Sequence, residues 1–158
     1  VVQGENNEYY LKHNFYQEED NNGWVFMDYR NNKDELNDNT IFYAHNRYYS
    51  GVMFGTLQNA LKKTWYTNKE NQIITFRTLY ATYSFHIFSV YNIYKTNDYM
   101  STMFIDDETR ANFYQMLKDR SIYDFEITPT GSDKIITLST CKDENNRIVV
   151  HAVLEKIE

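Results

Sequence analysis

The chain has 158 residues, a formal net charge of −6 and 42% hydrophobic residues, a size and balance that suit one domain with its own core. An acidic chain without clustered Lys or Arg argues against a nucleic-acid partner, and no run approaches the ~20 apolar residues that span a bilayer. A lone Cys rules out an internal disulfide, and one Pro with five Gly leaves no linker or disordered tract.

The elements then follow in chain order. Val1-Val2-Gln3-Gly4 is strand-like from the first residue. Short apolar runs at 24–28 and 40–44, flanked by Asn, Asp and Gly, predict two strands. The Asn/Asp-rich segment 31–39 between them reads as a surface loop. Phe54, Leu57, Leu61 and Trp65 recur at helical spacing and predict a helix over 54–65. Strands are predicted at 72–76 and at 82–94, the longer one placing Tyr83, Phe85, Ile87, Tyr91 and Ile93 on one face. Residues 106–120 open on Asp106, Asp107 and Glu108 and close on Lys118 and Arg120. That charge order complements a helix dipole, with Tyr114 and Leu117 facing inward beside Ala111 or Phe113. Two β-branched runs, 134–141 and 147–156, complete the chain. So many strands with only two helices imply a mostly antiparallel barrel or sandwich, and 15 Tyr suit strands with one wet and one buried face.

Few residues in this chain carry reactive chemistry. Cys141 ends a strand where a polar loop begins, a place where a thiol can meet solvent and substrate. The plainer reading of a lone Cys is a small buried hydrophobe. Four His compete as its partner. His86 and His151 lie inside strands and read as hydrogen-bonded structural residues, and His13 sits in a polar stretch on the surface. His45 differs, since it directly follows a strand and precedes the loop to Gly51. Arg147 opens the last strand, and a hairpin of the last two strands would bring it to the end occupied by Cys141. There a guanidinium can bind a carbonyl or an oxyanion, although an Arg at a strand edge more often serves a surface ion pair. No pair of His has metal-ligand spacing, and no glycine loop could cradle a phosphate.

The strings around these three residues resemble the sortase family, class B in particular. Thr137-Leu138-Ser139-Thr140-Cys141 is similar to its active-site signature, with Ser in the middle position. Tyr43-Ala44-His45-Asn46 resembles its histidine string, with Ala where Gly is common, and Arg147-Ile148-Val149-Val150-His151-Ala152 resembles its arginine strand. Similar stretches occur at 2–4, 7–11, 26–31, 50–57 and 97–104, so the likeness runs along almost the whole chain. It implies a mostly β fold, a sortase-type eight-stranded β-barrel with a few helices, one of them a long helix before the cysteine strand. It also implies a single catalytic domain over 1–158, preceded by N-terminal helices and a membrane anchor that would hold it on the extracytoplasmic face.

By the same resemblance Cys141 is the nucleophile, His45 the general acid/base and Arg147 the stabiliser of the oxyanion or substrate carbonyl. Asn7, Leu11, Tyr99, Met100 and Ser139 would line the groove for a sorting-signal peptide, and Asp143 would have a supporting role. The implied reaction cleaves that signal after Thr, forms a thioacyl enzyme and passes the acyl group to a peptidoglycan amine, with no cofactor. Lys142 stands where some relatives carry an acid, and the loop from Cys141 to Arg147 is short. A cysteine peptidase of similar geometry, a pilus-polymerising sortase and an extracellular β-barrel binding module are the competing expectations.

Overall fold

The computed structural model describes every residue except Lys142, and Cys141 through its backbone alone. Its strands are β1 (Val2–Gln3), β2 (Phe26–Met27), β3 (Asn39–Tyr43), β4 (Asn46–Arg47), β5 (Val52–Met53), β6 (Ile73–Arg77), β7 (Thr82–Tyr94), β8 (Ile135–Cys141) and β9 (Asn146–Ile157). Seven form one curled sheet in the order β1-β2-β3-β8-β9-β7-β6, while β4 and β5 form a separate ribbon. The mostly β architecture is the expected one, with its strands divided seven and two in a half-barrel.

Strands β8 and β9 run through the middle of this sheet and are covered on both faces. Ile136, Val150 and Ala152 join Phe42, Phe85 and Phe125 in one apolar cluster. Ile135, Val149 and Val153 point the other way, into a cluster with Tyr91, Tyr99, Tyr114 and Leu117. Alternating positions thus supply two cores, which is why both runs read as nearly continuous apolar sequence. Strand β7 departs from the single face expected of it. Register shifts between Ser84 and Phe85 and between Ile87 and Ser89 interrupt its alternation. Phe85, Ile87 and Val90 therefore pack in the first cluster, and Phe88 and Tyr91 in the second.

Two helices were expected, and one forms as such. Asp106 caps α2 (Asp107–Asp119) by accepting from the Thr109 amide at 2.7 Å, and Tyr114 and Leu117 are buried against the sheet. The segment predicted as a helix over 54–65 is instead a 3-10 turn, Leu57–Leu61, followed by a short α1 (Lys63–Tyr66). Lys62 between them is extended, with φ −91° and ψ 135°, and neither piece has a side-chain cap. The loop between β2 and β3 is also less superficial than its composition suggests. Asn31 is buried, donating to the Asn39 carbonyl at 2.9 Å and accepting from the Ile41 amide at 2.8 Å.

His151 lies wholly inside the second cluster's face, with Tyr91 Oη 2.8 Å from Nε2 and Thr137 Oγ1 2.8 Å from Nδ1. This is the structural role its strand position suggested. Thr137 Oγ1 donates its proton to Asn39 Oδ1 at 2.7 Å, so it accepts from Nδ1 and Tyr91 donates to Nε2. Burial first, then the charge of Arg120, lowers its pKa to about 3. An unfolded chain would therefore bind a proton that the folded one refuses between the ordinary value of 6.5 and about 3. Stability should rise with pH across this window, by up to about 1.4 kcal/mol per unit from this group. Chemical denaturation across that window should show a shallower pH slope for His151→Asn than for wild type. An unchanged slope would assign the acid sensitivity to other groups.

Candidate functional site

The site is built from a parallel pairing. β3 runs parallel to β8, in a register that sets Tyr43 beside Ser139, and both strands leave the sheet at the same end. Just beyond β3, Thr140 Oγ1 donates to the Ala44 carbonyl at 2.7 Å, across 96 positions of sequence. The same offset sets His45 level with Cys141. On the other side β9 runs antiparallel to β8, and its register pairs Cys141 with Arg147. His45, Cys141 and Arg147 thus occupy one row across three adjacent chain segments, at the carboxyl ends of two of them. The side chain of Cys141 lies outside the described residues, as does Lys142.

At this end of the sheet is a cleft of about 220 Å³, lined among others by Asn7, Leu11, Met100 and Ser139 together with His45 and Arg147. His45 Nε2 lies 2.7 Å from the Leu11 carbonyl. A carbonyl can only accept, so Nε2 carries a proton and the ring is held by the turn Tyr9–Leu11. Arg147 donates from one guanidinium nitrogen to the Asn146 carbonyl at 3.0 Å and the Asp143 carbonyl at 3.4 Å. Among the described residues it makes no ion pair, contrary to the commoner fate of a strand-edge Arg. Asp143 shapes the loop itself: Oδ1 accepts from the Asn145 and Asn146 amides at 2.9 Å. That is a turn-forming contact, which fixes where β9 begins.

Of the five residues expected along the groove, Tyr99 departs from the rest. It has no exposed surface, and its hydroxyl lies 2.9 Å from Ser139 Oγ. Its ring belongs to the second core cluster, so it supports Ser139 from behind and does not line the cleft. The other His are placed apart from this row. His13 stacks on Tyr9 and bonds its carbonyl at 2.9 Å, and His86 Nε2 lies 3.5 Å from Gln72 Oε1.

A buried carboxylate behind the cleft had no counterpart in the sequence reading. Asp28 is fully buried and accepts five hydrogen bonds. Three come from Arg30, through its amide at 3.0 Å, Nε at 2.9 Å and a terminal nitrogen at 2.8 Å. One comes from Asn7 Nδ2 at 3.0 Å and one from the Tyr43 hydroxyl at 2.8 Å. Burial raises its pKa, but the bonds and charge of Arg30 and the Tyr43 hydroxyl outweigh that and leave it below the usual carboxylate value. Tyr43 is pushed strongly up, by burial first and then by the Asp28 charge, so its hydroxyl keeps its proton. Arg30 also donates to the Met100 carbonyl at 2.9 Å. One carboxylate therefore ties together three cleft residues, Asn7, Tyr43 and Met100, from three parts of the chain. The only sequence signal was a paired Asp28 and Arg30 directly after an apolar run.

The family model described as the sortase domain matches residues 1–155. Sortase B of Staphylococcus aureus is 35% identical over 161 residues, covering 99% of this chain and 65% of that protein. The chain thus spans less than two thirds of that relative. A solved Staphylococcus aureus sortase B–substrate complex superposes with a TM-score of 0.88 at 36% identity, over 99% of this chain and 73% of that one. A sortase B structure complexed with triglycine gives 0.89 at 36%, over 99% and 73%.

The Asp28 network makes a prediction about the cleft wall. Asp28→Ala removes the acceptor shared by Arg30, Asn7 and Tyr43 and leaves the Tyr43 hydroxyl without its partner, so it should lose about 3 kcal/mol of stability in urea denaturation. Tyr43→Phe deletes one neutral donor and should lose about 1 kcal/mol. Equal losses would mean that Asp28 is one bond among many and not the tie.

Proposed function

The chain belongs to the sortase family, and from that premise we propose that it is a cysteine transpeptidase of the class B kind. It would cleave a C-terminal sorting signal after Thr and transfer the acyl fragment to a peptidoglycan amine. The observation that carries this reading is the backbone row of His45, Cys141 and Arg147, of which His45 and Arg147 line one cleft. A nucleophile, a proton carrier and a rigid cationic donor in one row are the components that acyl transfer requires. The substrate named in the first of the solved sortase B structures and the triglycine of the second support a peptide donor and an amine acceptor.

In this mechanism the Cys141 thiolate attacks the Thr carbonyl carbon and the oxygen becomes an oxyanion. Arg147 faces the cleft with donors in a fixed plane, suited to that charge. His45, which takes the thiol proton on Nδ1 while Nε2 stays bonded to the Leu11 carbonyl, gives it to the departing amine as the C–N bond breaks, which leaves a thioacyl enzyme. An incoming amine then attacks the thioester, its proton passes to His45, and the sulfur departs with its electron pair. Asn7, Leu11, Met100 and Ser139 would contact the peptide along the cleft. The chain would act as one catalytic domain on the extracytoplasmic face of a membrane, held there by an anchoring segment that precedes Val1. A peptidase would use the same first half and finish with water, so added amine distinguishes the two: it should divert the product here.

Two sets of variants test the roles. Cys141→Ala should abolish cleavage and transfer of a sorting-type pentapeptide with the circular dichroism unchanged. His45→Ala should do nearly the same, whereas His13→Gln and His86→Gln should keep most activity. Wild-type-like turnover in folded Cys141→Ala would remove the thiol from the mechanism. For Arg147 the test is direction against charge. Losing an oriented oxyanion donor costs on the order of 10²–10³ in rate, so Arg147→Lys should fall by about that factor although the charge remains. Near-full rates in the Lys variant would reduce Arg147 to an electrostatic role.

A further inference from the structure

Between β7 and α2 the chain crosses residues 95–106 without helix or strand, so no continuous ladder of backbone bonds holds it. Part of this crossing is a wall of the cleft: Met100 lines it, and the Tyr99 hydroxyl meets Ser139 Oγ from behind at 2.9 Å. Both ends of the stretch 98–101 are held by one line of side chains, with the buried His151 at its centre. We propose that His151 is a positioning residue for the peptide cleft, acting through Thr137 and Asn39 on the wall segment 98–101. The inference rests on the transpeptidase reading above, since it names a residue on which peptide binding depends.

The line can be followed donor by donor. Arg120, just past α2, holds the Asp98 carboxylate with two bonds, of 2.8 and 2.6 Å. It also stands over the Tyr91 ring, 5.9 Å from the centroid. Tyr91 donates to His151 Nε2 at 2.8 Å, and His151 Nδ1 donates to Thr137 Oγ1 at 2.8 Å. Thr137 donates to Asn39 Oδ1 at 2.7 Å. The Asn39 amide nitrogen then donates to the carbonyls of Ser101 at 2.9 Å and Tyr99 at 3.4 Å. Those carbonyls can only accept, and this sets every hydrogen behind them. An Asn amide that donates from Nδ2 accepts at Oδ1, so Thr137 must donate to it and accept from His151, and the other ring nitrogen must accept from Tyr91. The line runs one way, out from Asp98 and back to Ser101.

His151, Thr137 and Asn39 have no exposed surface, so none of them can touch a peptide. What they supply is direction. Without a donor from Thr137, Asn39 Oδ1 would be a buried acceptor left open, and its amide would turn to satisfy it and release the two carbonyls. Packing alone does not call for an imidazole here. The neighbours of the ring are Phe88, Tyr91 and Tyr99, with centroids 6.0, 5.4 and 6.3 Å away, and they would accept a phenyl group as readily. The imidazole is distinguished by the use of both its nitrogens. On the opposite side Arg30 holds the Met100 carbonyl at 2.9 Å, so the wall is gripped from two directions and loosens when either grip is lost.

The test removes one hydroxyl and then restores it. Thr137→Val deletes the link between His151 and Asn39 at nearly constant shape, and Thr137→Ser keeps it. With a cleavable sorting-type pentapeptide, Thr137→Val should raise the peptide KM about five- to tenfold, the size of one lost hydrogen bond, with kcat within about twofold of wild type. Thr137→Ser should stay within about twofold of wild type in both constants. Without peptide, amide hydrogen exchange over 97–104 should be faster in the Val variant and unchanged in the Ser variant. His151→Gln keeps an acceptor for Tyr91 and should behave as Thr137→Val. His151→Asn keeps a donor where Nδ1 stood and should behave as Thr137→Ser, so this second pair decides if Thr137→Val does not fold. Unchanged KM and unchanged exchange in the Val variant would overturn the proposal. So would equal losses in the Val and Ser variants, because general damage to the core would then be the cause. If wild type cleaved no member of a pentapeptide library, the transpeptidase reading would fall, while the exchange comparison would still decide whether the line holds the segment.

Discussion

The parallel alignment of β3 with β8 is the constraint on which the site depends. Antiparallel strands would carry His45 and Cys141 to opposite ends of the sheet. Parallel strands end together, and a crevice outside their carboxyl ends is where open sheets place ligands. Parallel neighbours cannot be joined by a tight turn. The chain between them supplies β4 to β7 and both helices before returning as β8, so much of the fold is the crossover that this one pairing requires. The β8–β9 hairpin then adds Arg147 to the same row through a short loop whose turn is set by Asp143.

Two kinds of interaction hold that end of the sheet in place. Apolar clusters on both faces of β8 and β9 make the centre of the sheet hard to deform. At the rim, where the cleft must stay open, polar bonds of fixed direction take over. Asp28 draws Asn7, Arg30 and Tyr43 onto one carboxylate, Arg30 reaches on to Met100, and Thr140 fastens the segment leading to His45. An open cleft needs walls that do not collapse on each other, and a satisfied buried charge provides this where an apolar contact would close the gap.

The cleft bounded by Ser139 and Arg147 lies at the end of the sheet where β3 and β8 stop together. The His45 ring on its wall is bonded to the Leu11 carbonyl, which fixes the ring's orientation.

Much of this was legible in the sequence because it depends on near neighbours along the chain. The alternation of 82–94 and the β-branched runs after residue 134 marked the long strands, and the charge order of 106–120 marked α2. The position of Cys141 and Arg147 at either end of a short loop was enough to place them together if a hairpin formed. Other features depend on contacts between distant segments, and local pattern carries no trace of those. The shifts in β7 that send Phe85 and Phe88 into different cores are set by its pairing with β9. The break at Lys62, the burial of Asn31 and Tyr99, and the closing of Asp28 onto Asn7 and Tyr43 follow from what packs against each residue. The sequence by itself determined the residue types at the site and the strands that carry them. Only the tertiary structure decided that β3 and β8 run the same way, and so that His45 and Cys141 share an end of the sheet, because strand direction is chosen by long-range pairing and not by periodicity.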